Sequence, residues 1–515
     1  MNADMDGASP KKDFSKEMEK FKHVQFVIPD INCVPRGKVF SGRFKHKVAE
    51  EGFDIGNAVC MMGPRGDFTT GISRFLGNNW PNHPSRPCIE TLTPWPWVGE
   101  EGRRTGNVLC DLCHPDGSPD LTSPRQLLRA QVDALREKHG LIIKSAFEYE
   151  FFVCKEDSLE PLGRQSLQCW DMRLWWEHEE LFNGLYDVLE NVGVEVSSLM
   201  PELPQGQWEI TTEPIEGLRG GDTGFYVKNA VKGYFSTRGY HATFMSKPTT
   251  RGPVNGMHLN HSLWRPRQSG DGEDNVFLGC HVEDSQDQEG ARQGHDTATE
   301  GDLSTTARHW TAGLLTHAPA LCALLCPTVN CYRRLHSLCT PTHNTWGPDD
   351  RFAMIRARSS PGNAFLENRL PSSAVNPYLA LAATVAAGMD GLNRKLQCPP
   401  PRYPTESSFS AKLEGVTSGT LPRDTTLSSK QSDITEGPQQ KPEGTTQGQE
   451  LPRSLAEALV ALETDQELRA LLGDRFVDCY VTVRRDVEVK ACEEASLDTK
   501  DEELAFERKL CFNAL

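Results

Sequence analysis

Two glutamates in the run FEYEFF are the first residues whose type and spacing could do chemistry. Glu148 and Glu150 are two positions apart, so a β-strand would point both carboxylates to the same face. Neighbouring carboxylates on so apolar a strand repel each other and lose hydration unless a cation lies between them. An edge strand with one solvated face is the other interpretation of this run.

Two further runs add glutamates to the set. Glu202 and Glu209 flank a Pro-Gln-Gly turn in PELPQGQWEIT, and a hairpin-like bend there would bring both carboxylates to one place. In AFLENRLP, Glu367 and Arg369 would share one face of a strand. Taken singly, these runs are also explained by solvated turn acids and by salt-bridge partners within a sheet.

A histidine completes the candidate ligands. In NGMHLNHSLW, His258 would share a strand face with Asn260 and Ser262. A lone histidine in such a strand is more often structural than a ligand. Together, however, five glutamates and one histidine supply enough oxygen and nitrogen atoms for two Mg²⁺ or Mn²⁺ ions. Two such ions bridging phosphate oxygens suit phosphoryl transfer from ATP.

Nucleotide binding would have to rest on metals and arginines, because the sequence contains neither GxxxxGK[ST] nor GxGxxG. Guanidinium forks suit both carboxylates and phosphates. The runs PTVNCYRRL, WGPDDRFAMIRARS and LENR supply such forks in Arg333, Arg334, Arg351, Arg356 and Arg369.

The elements that must position these residues follow an α+β pattern. Short apolar runs broken by Gly and Pro predict a small sheet-rich domain up to about Asp116. Ser123 and Pro124 predict the start of a helix that ends at His139-Gly140, before a strongly β-prone run. The predicted divisions are a flexible tail at 1–21, an N-terminal domain at 22–116, a main domain at 122–490 with disordered polar insertions at 271–302 and 401–450, and a C-terminal tail at 491–515.

Composition limits the classes of partner. The 515 residues carry a formal net charge of -16, which disfavours nucleic acid. No apolar run approaches the roughly 20 residues that span a bilayer, and the N-terminus lacks the apolar core of a secretory signal. We therefore expect a cytoplasmic protein with no membrane partner. Cys110 and Cys113 form an isolated CxxC, so we expect thiols rather than a zinc finger.

The order and spacing of these motifs resemble class I of the glutamine synthetase family. The matching runs between about Thr122 and Leu396 are SPRQLLRA, FEYEFF, PELPQGQWE, ATFMSKP, GMHLNHSLW, PTVNCYRRL, WGPDDRFAMIR, LENRLP and NPYLALAA. Residues 455–487 resemble the terminal helices of the family. The resemblance implies a small N-terminal β-grasp domain followed by a catalytic domain with an antiparallel sheet and surrounding helices.

The resemblance also implies a role for each candidate by its position. It implies one metal site at Glu150, Glu202 and Glu209. It implies a second metal site at Glu148, His258 and Glu367. It implies that the carboxylates of glutamate are held by Arg334 and Arg369, that phosphate is steadied by Arg351 and Arg356, and that the nucleotide lies near Ser262. The implied cofactors are Mg²⁺ or Mn²⁺ with ATP, and the implied assembly is a dodecamer of two stacked hexameric rings.

Several positions depart from the family pattern. The family places a glutamate on a flap that takes the ammonium proton, whereas this chain has no carboxylate between Leu335 and Pro348. Val254 replaces a glycine that meets the substrate, Phe365 replaces a phosphate-binding arginine, and Asn260 replaces the usual histidine. A lost general base typically costs 10²–10⁴-fold in rate, and one lost charge-stabilising contact costs roughly another 10²-fold. No confident catalytic residue remains.

Two functions are compatible with this pattern. The first is a pseudoenzyme that acts as a structural or chaperone-like oligomer for intermediate filaments, like a non-enzymatic branch of the family found in the vertebrate lens. The alternative is an active ATP-dependent ligase that joins glutamate to ammonia or to another amine. The surviving metal ligands, together with Arg334 and Arg369, favour the alternative, and the missing flap glutamate favours the pseudoenzyme.

Overall fold

The computed structural model describes residues 14–77, 79–95, 105–163, 169–250, 254–267, 272–279, 303–335, 337, 340–403, 448–495 and 497–515. These residues form a small N-terminal sheet and a larger sheet that is covered by helices. The α+β class and the two-domain architecture predicted from the sequence are therefore confirmed.

The N-terminal sheet has six strands in the order β2-β1-β6-β4-β3, with β5 added to β6. Its strands are β1 His23–Pro29, β2 Pro35–Ser41, β3 Phe53–Gly56, β4 Asn82–Pro87, β5 Thr93–Pro94 and β6 Thr105–Leu112. Strands β1 and β6 run parallel, and the other described pairs are antiparallel. The predicted turn between the first two strands is present, since Asp30 Oδ1 accepts hydrogen bonds from the backbone of Asn32 and Val34.

The larger sheet has ten strands, with β14-β15-β16-β12-β7-β9-β8 as its main path. Strands β10 and β11 pair with β7, and β13 pairs with β12. Its strands are β7 Ile142–Lys155, β8 Val196–Pro201, β9 Gln207–Thr212, β10 Ile215–Glu216, β11 Tyr240–Thr243, β12 Met257–Pro266, β13 Glu273–Asn275, β14 Trp346–Pro348, β15 Ile355–Ser360 and β16 Asn363–Asn368. All pairs are antiparallel except β14 with β15.

Helices pack on one side of the larger sheet, and further helices lie near both termini of the chain. They are α1 Phe14–Glu19, α2 Arg43–Glu51, α3 Ser73–Leu76, α4 Pro124–His139, α5 Met172–Glu177, α6 Glu179–Asn191, α7 Leu218–Ser236, α8 Thr305–Thr316, α9 Ala318–Leu325, α10 Pro377–Arg394, α11 Leu455–Thr464, α12 Gln466–Leu472, α13 Asp474–Arg484, α14 Lys490–Glu494 and α15 Lys500–Cys511. Among the described helices, none is both long and apolar enough to cross a membrane.

Strand β7 shows why the sequence pattern fixes a face. Phe147, Tyr149 and Phe151 alternate along it and are fully buried under the helices. The residues between them, Glu148 and Glu150, therefore point to the opposite face of the sheet. Burial of three aromatic side chains on one face makes any slip of this register costly, because one residue of slip would exchange the two faces.

Helix α10 forms the centre of the helical layer and is buried along nearly its whole length. It approaches α8 very closely at Gly313 and Gly391. A Cβ added at Gly313 would lie 2.1 Å from the carbonyl oxygen of Ala387, so only glycine fits this crossing. The predicted helix α4 is also present, with Pro124 at its first position and Gly140 in a left-handed cap at φ 62°.

The expectation of a flexible tail at 1–21 is wrong for the residues that the structure describes. Helix α1 begins at Phe14, and Met18 and Phe21 are buried against the N-terminal sheet. Lys45 Nζ donates hydrogen bonds to the carbonyl oxygens of Met18 and Phe21 at 2.9 and 2.7 Å. Met18 and Phe21 thus hold this short charged segment against the N-terminal sheet.

The expectation of a C-terminal tail at 491–515 is also corrected. Helix α15 packs against the larger domain through Leu504, Leu510 and Cys511, which are all buried. The chain end is held as well, since Phe244 N donates a 2.8 Å hydrogen bond to Leu515 O. Helix α15 contains few apolar residues, but those that it has are buried on one side and hold it against the larger domain.

The prediction of a disordered insertion at 271–302 is wrong for the residues 272–279. Residues 272–279 are ordered, and β13 pairs with β12, so this part of 271–302 belongs to the sheet. The remainder of 271–302 lies outside the described residues. Almost all of the second predicted insertion, 401–450, also lies outside them.

Candidate metal and phosphate site

Strand pairing places most of the candidate ligands on one face of the larger sheet. Across the pair β7–β12, Glu148 lies opposite His258. Across the pair β7–β9, Glu150 lies opposite Glu209. Residues paired directly across two strands point to the same face of a sheet. Strands β7 and β12 and the hairpin β8–β9 therefore form one polar surface.

The first ligand group is compact. One ligand atom from each of Glu148, His258 and Glu367 lies within 4.8 Å of the others, and all three were predicted to share one metal. His258 Nδ1 lies 2.9 Å from Glu148 Oε2 and 3.7 Å from Glu367 Oε1. Asn260 Nδ2 donates a 2.8 Å hydrogen bond to the other oxygen of Glu148. Carboxylate and imidazole ligands of this kind fit a divalent cation.

The charge state of Glu148 is set by these neighbours. Burial opposes ionisation, but hydrogen bonds from His258 and Asn260 outweigh it and lower the pKa of Glu148 to about 2. The carboxylate is therefore ionised and ready to act as a ligand at neutral pH. Burial, together with the charge of Arg369, lowers the pKa of His258, so its imidazole is in the neutral form that binds metals.

The second ligand group is defined by mutual repulsion. Burial and the charge of Glu202 raise the pKa of Glu150 to about 7. Burial and the charge of Glu150 raise the pKa of Glu209 to about 9, and burial raises the pKa of Glu202. Three carboxylates that disfavour one another's charge are stabilised by a cation, so the residues present fit the metal that the resemblance implies.

Backbone and amide donors hold Glu150 in place. Gly256 N donates a 2.6 Å hydrogen bond to Glu150 Oε2, and Gln207 Nε2 donates another at 3.1 Å. The bend between Glu202 and Glu209 closes as the sequence predicts, because Glu202 N donates to Gln207 O at 2.9 Å. Gln207 is a functional residue that the sequence did not reveal, since its role depends on the pairing of β9 with β7.

Two of the predicted arginines are paired with a metal ligand. Arg356 Nη1 donates a 2.9 Å hydrogen bond to Glu367 Oε2, and Arg369 Nη1 donates to Glu367 Oε1. Arg356 also donates through Nε to Asp349 Oδ1 at 2.9 Å. Asp349 lies on the exposed rim and was not identified from the sequence, because only the fold brings it beside Arg356.

Of the other predicted arginines, Arg334 lies at the floor and Arg351 at the rim, whereas Arg333 pairs with Glu503 and Glu507 of α15. Arg334 is buried and donates hydrogen bonds to the carbonyl oxygens of Leu370 and Arg369 at 3.0 and 3.1 Å. It has no ion-pair partner in the part of the chain that the structure describes, and Gly256 leaves room for its guanidinium. Arg351 is exposed. Burial opposes ionisation of Asp349, but the hydrogen bond and charge of Arg356 outweigh it and lower the pKa of Asp349, with smaller contributions from Arg358 and Arg351.

Ser262 lies further along β12 on the same face as His258. Its hydroxyl accepts a 2.8 Å hydrogen bond from Trp264 Nε1. Lys144, directly across the pair β7–β12 from Ser262, places its ammonium 4.4 Å from the centre of the Trp264 ring. Lys144 and Trp264 extend the site with a cation and a ring that sequence reasoning missed.

The departures from the family pattern lie around this surface. The carbonyl of Val254 accepts a hydrogen bond from Gln207 Nε2, so its backbone still lies beside the second ligand group. Phe365 is partly buried on β16, two positions before Glu367. Of the flap segment, the described residues Thr340, Pro341, Thr342, His343 and Asn344 carry no carboxylate.

The structure is an α+β protein whose larger sheet carries, on one face, carboxylate and imidazole side chains of the kind that bind divalent cations. A family model of the glutamine synthetase catalytic domain matches residues 121–424 and 406–503, which is more than half of the chain. The chain belongs to the glutamine synthetase family. Members of this family use ATP and divalent metals and are typically homo-oligomers.

Individual relatives have different names. The chain is 30% identical over 492 residues to lengsin of Canis lupus familiaris, which covers 93% of this chain and 73% of that protein. It is 28% identical over 476 residues to the glutamine synthetase of Methanocaldococcus jannaschii, with coverage of 91% and 92%. It is 32% identical over 396 residues to the glutamate–methylamine ligase of Methyloversatilis universalis, with coverage of 74% and 76%.

Solved structures support the same fold. A complex of GmaS with ADP aligns with a TM-score of 0.72 at 24% identity, covering 96% of this chain and 98% of that chain. At this level of identity the likeness establishes the architecture of both domains.

Proposed function

We propose that this chain is an ATP-dependent ligase that joins glutamate to an amine other than ammonia. The observation that carries the proposal is the completeness of the acidic cage. Glu148, His258 and Glu367 gather within 4.8 Å, and the carboxylate of Glu150 is held at 2.6 Å by the Gly256 backbone. A protein that served only as a scaffold would gain nothing from several buried carboxylates that raise one another's pKa.

The residues present fit two divalent cations. One would be held by Glu148, His258 and Glu367. The other would be held by Glu150, Glu202 and Glu209. When bound, such cations neutralise phosphate charge during transfer of the γ-phosphoryl group of ATP to a carboxylate.

The arginines supply the remaining positive charge. Arg356 and Arg369 both donate to Glu367, so a cation that bound Glu367 would free both guanidiniums for anionic substrates. Arg334 lies on the buried floor with no ion-pair partner among the described residues, as a carboxylate-binding arginine requires. We therefore assign the substrate carboxylates to Arg334 and Arg369 and the phosphate to Arg351 and Arg356, with the nucleotide near Ser262.

The choice of amine follows from the flap. The segment from Leu335 to Pro348 has no carboxylate to take a proton from ammonium. An alkylamine adds apolar contacts to its own binding, and its ammonium proton would pass to solvent water because this segment offers no carboxylate. One relative of comparable identity is named a glutamate–methylamine ligase and another a glutamate–isopropylamine ligase, which supports a remodelled amine pocket.

The test is ADP release by the purified chain with Mn²⁺ or Mg²⁺, ATP, glutamate and a panel of amines from ammonia to isopropylamine. Glu202→Ala serves as the blank, and Glu213→Ala, an exposed glutamate after the same strand β9, serves as the matched control. We expect turnover with an alkylamine that is lost in the first variant and kept in the second. Absence of amine-dependent ADP release from well-folded protein would overturn the proposal.

A second candidate function is a non-catalytic oligomer that supports intermediate filaments, as in the lens. The missing flap carboxylate and the replacement by Phe365 favour it, and so does the match to lengsin over 93% of the chain. Its test is co-sedimentation of the chain with reconstituted intermediate filaments, with and without ATP. Binding to filaments in the absence of any ADP release would support this candidate over the ligase.

Either function calls for a homo-oligomer, and we propose the dodecamer of two stacked hexameric rings that the family resemblance implies. Native mass spectrometry of the full chain tests this assembly. Twelve copies are the expected result, and a stable monomer or dimer would contradict it.

A further inference from the structure

A second group of side chains of metal-binding type lies outside the acidic cage, between the N-terminal sheet and the start of α4. His83 is on β4 of the N-terminal sheet, His114 follows β6, and Asp120 lies in the segment that leads to α4. One ligand atom from each lies within 4.8 Å of the other two. Two imidazoles and a carboxylate form a donor set quite different from the glutamates of the cage.

The chain folds tightly to bring these residues together. His114 N donates a 2.8 Å hydrogen bond to Ser118 O, which closes the turn after β6. Asp120 N then donates to Leu112 O at 3.1 Å, so the chain returns beside the end of the same strand. His114 and Asp120 are thereby held at the two ends of one loop, against β4.

The carboxylate of Asp120 is oriented before any ligand arrives. Its Oδ1 accepts hydrogen bonds from Thr122 N at 3.0 Å and from Thr122 Oγ1 at 2.7 Å. Its Oδ2 is left to face His83, whose Nδ1 lies 2.9 Å away. Second partners of this kind fix the ligands of metal sites, and the side chains of Asp120 and His83 are only 3% and 7% exposed.

The second imidazole provides access. The rings of His83 and His114 meet edge to face, with centroids 5.0 Å apart and an angle of 74°. His114 is half-buried, whereas His83 is buried. The group is therefore closed on the side of the sheet and reachable from solvent on the side of His114.

We propose that His83, His114 and Asp120 form a Zn²⁺ site that ties the N-terminal sheet to the start of the larger domain. Imidazole nitrogen and carboxylate oxygen are ordinary zinc ligands, with bonds of about 2.0–2.2 Å. The ligand atoms of a tetrahedral site lie about 3.4 Å apart on those bond lengths. His83 Nδ1 and Asp120 Oδ2, now 2.9 Å apart, would therefore separate slightly on binding. His83 releases its Nδ1 proton or turns its ring as the metal replaces the hydrogen bond to Asp120.

The alternative is a neutral histidine–aspartate hydrogen bond with no metal. That alternative explains His83 and Asp120 but gives His114 no function in the group. The variant His114→Gln therefore separates the two. It removes a ligand and leaves the hydrogen bond between His83 and Asp120 intact, so the chain keeps its fold.

The experiment measures zinc per chain after chelation, reloading with Zn²⁺ and exhaustive dialysis, together with the visible absorption of Co²⁺-loaded protein. It is done in the full chain with Glu148→Gln, His258→Asn and Glu209→Gln, which disable both ligand groups of the cage. We expect one tightly bound Zn²⁺ per chain and the intense visible bands of tetrahedral Co²⁺. Adding His114→Gln should weaken zinc binding at least a hundredfold and abolish the bands.

The matched control is His139→Gln, a half-buried histidine at the end of α4 whose Nε2 lies 3.0 Å from Asn393 Oδ1. It should leave zinc content, Co²⁺ bands and the zinc-dependent rise in melting temperature unchanged. His114→Gln and His139→Gln should also be compared without the cage substitutions, in case the cage variant does not fold. In that background His114→Gln should bind one zinc per chain fewer than His139→Gln. Equal zinc binding with and without His114, or no zinc in folded protein, would overturn the proposal. Neither result bears on ligase activity.

Discussion

Arg358 lies directly across the antiparallel pair β15–β16 from Phe365, and its guanidinium is 5.8 Å from the centre of the phenylalanine ring. Arg356 and Glu367 form the next pair on the same face of these strands. The arginine that the family resemblance places at position 365 is thus replaced by one that reaches the same surface from the neighbouring strand. Arg358 is 41% exposed, with Asp349 Oδ1 at 3.4 Å from its Nε.

This pairing predicts that Arg358→Ala weakens binding of ATP. A charge-assisted hydrogen bond to phosphate contributes about 1.5–3 kcal/mol, so the loss should be about tenfold or more. Titration with a fluorescent ATP analogue in the presence of Mn²⁺ measures it. Arg267→Ala, which removes an exposed arginine paired with Asp274, is the control and should leave affinity unchanged.

A rescue variant sharpens the same prediction. Adding Phe365→Arg to Arg358→Ala returns a guanidinium to the same pair of strands from the other side. Affinity for the analogue should recover most of the tenfold loss. If the double variant binds no better than Arg358→Ala alone, the two positions are not interchangeable and the compensation is refuted.

The acidic cage predicts opposite effects of one substitution with and without metal. Glu209→Gln replaces a carboxylate whose pKa is raised to about 9 by burial and by Glu150 with a neutral group of the same shape. In chelator the variant should gain on the order of 2 kcal/mol in its free energy of unfolding, because it avoids the cost of protonating this buried carboxyl group at neutral pH. The stabilisation conferred by Mn²⁺ should fall sharply, because a ligand is lost.

Thermal unfolding in chelator and in Mn²⁺ measures both effects. Glu213→Gln, at an exposed position on the same segment, should change neither melting temperature. A loss of stability in chelator would show that Glu209 is held by attractive contacts rather than by a cation, and would count against the cage.

The candidate site could be predicted from sequence wherever a short-range period decides the face of a residue. Glu148 and Glu150 are separated by aromatic residues that must be buried, so their direction follows from two-residue alternation alone. The bend between Glu202 and Glu209 was predictable from its turn residues. The α+β class follows from the same local patterns.

What escaped prediction depends on which strands become neighbours. Gln207 reaches Glu150 only because β9 pairs with β7, and Asp349 reaches Arg356 only through the fold of the rim. The sequence does not single out Arg358, because its partner Phe365 lies on the neighbouring strand. Local periodicity carries no information on such pairings, because they are set by contacts distant in sequence.

The terminal helix α15 escaped for a related reason, and it carries a prediction. Glu507 is buried and accepts hydrogen bonds from Arg333 and Asn330, whereas Glu503 binds the same arginine from a position 46% exposed. Glu507→Ala should cost about 3 kcal/mol or more, because it leaves Arg333 and Asn330 without their buried partner. Glu503→Ala should cost under about 1 kcal/mol, as exposed ion pairs do.

Urea unfolding of the two glutamate variants compares them directly, since each removes one carboxylate from the same arginine. Equal losses would mean that burial does not decide the strength of these pairs. A large loss for Glu507 alone would show that residues 491–515 are part of the folded domain.

His317 predicts a dependence of stability on pH. Its imidazole is buried, with Nδ1 2.6 Å from Asp465 and Nε2 3.0 Å from Asp390, which also binds Arg394. Burial opposes the charge, but the hydrogen bonds and charges of Asp465 and Asp390 outweigh it and raise the pKa of His317. The cationic ring therefore links Asp390 on α10 to Asp465, the residue that caps the N-terminus of α12.

The sign follows from the direction of this shift. A histidine with a raised pKa in the folded state contributes its full stability below its ordinary value near 6.5, and loses it as pH rises through the raised value. His317→Asn should therefore cost about 3–5 kcal/mol at pH 6 and clearly less at pH 9. Urea unfolding at both pH values measures the difference, with His139→Gln, at a half-buried histidine beside Asn393, as a control whose effect should be the same at both pH values. A cost that is the same at both pH values would mean that His317 keeps one charge state between pH 6 and pH 9, which would contradict this prediction.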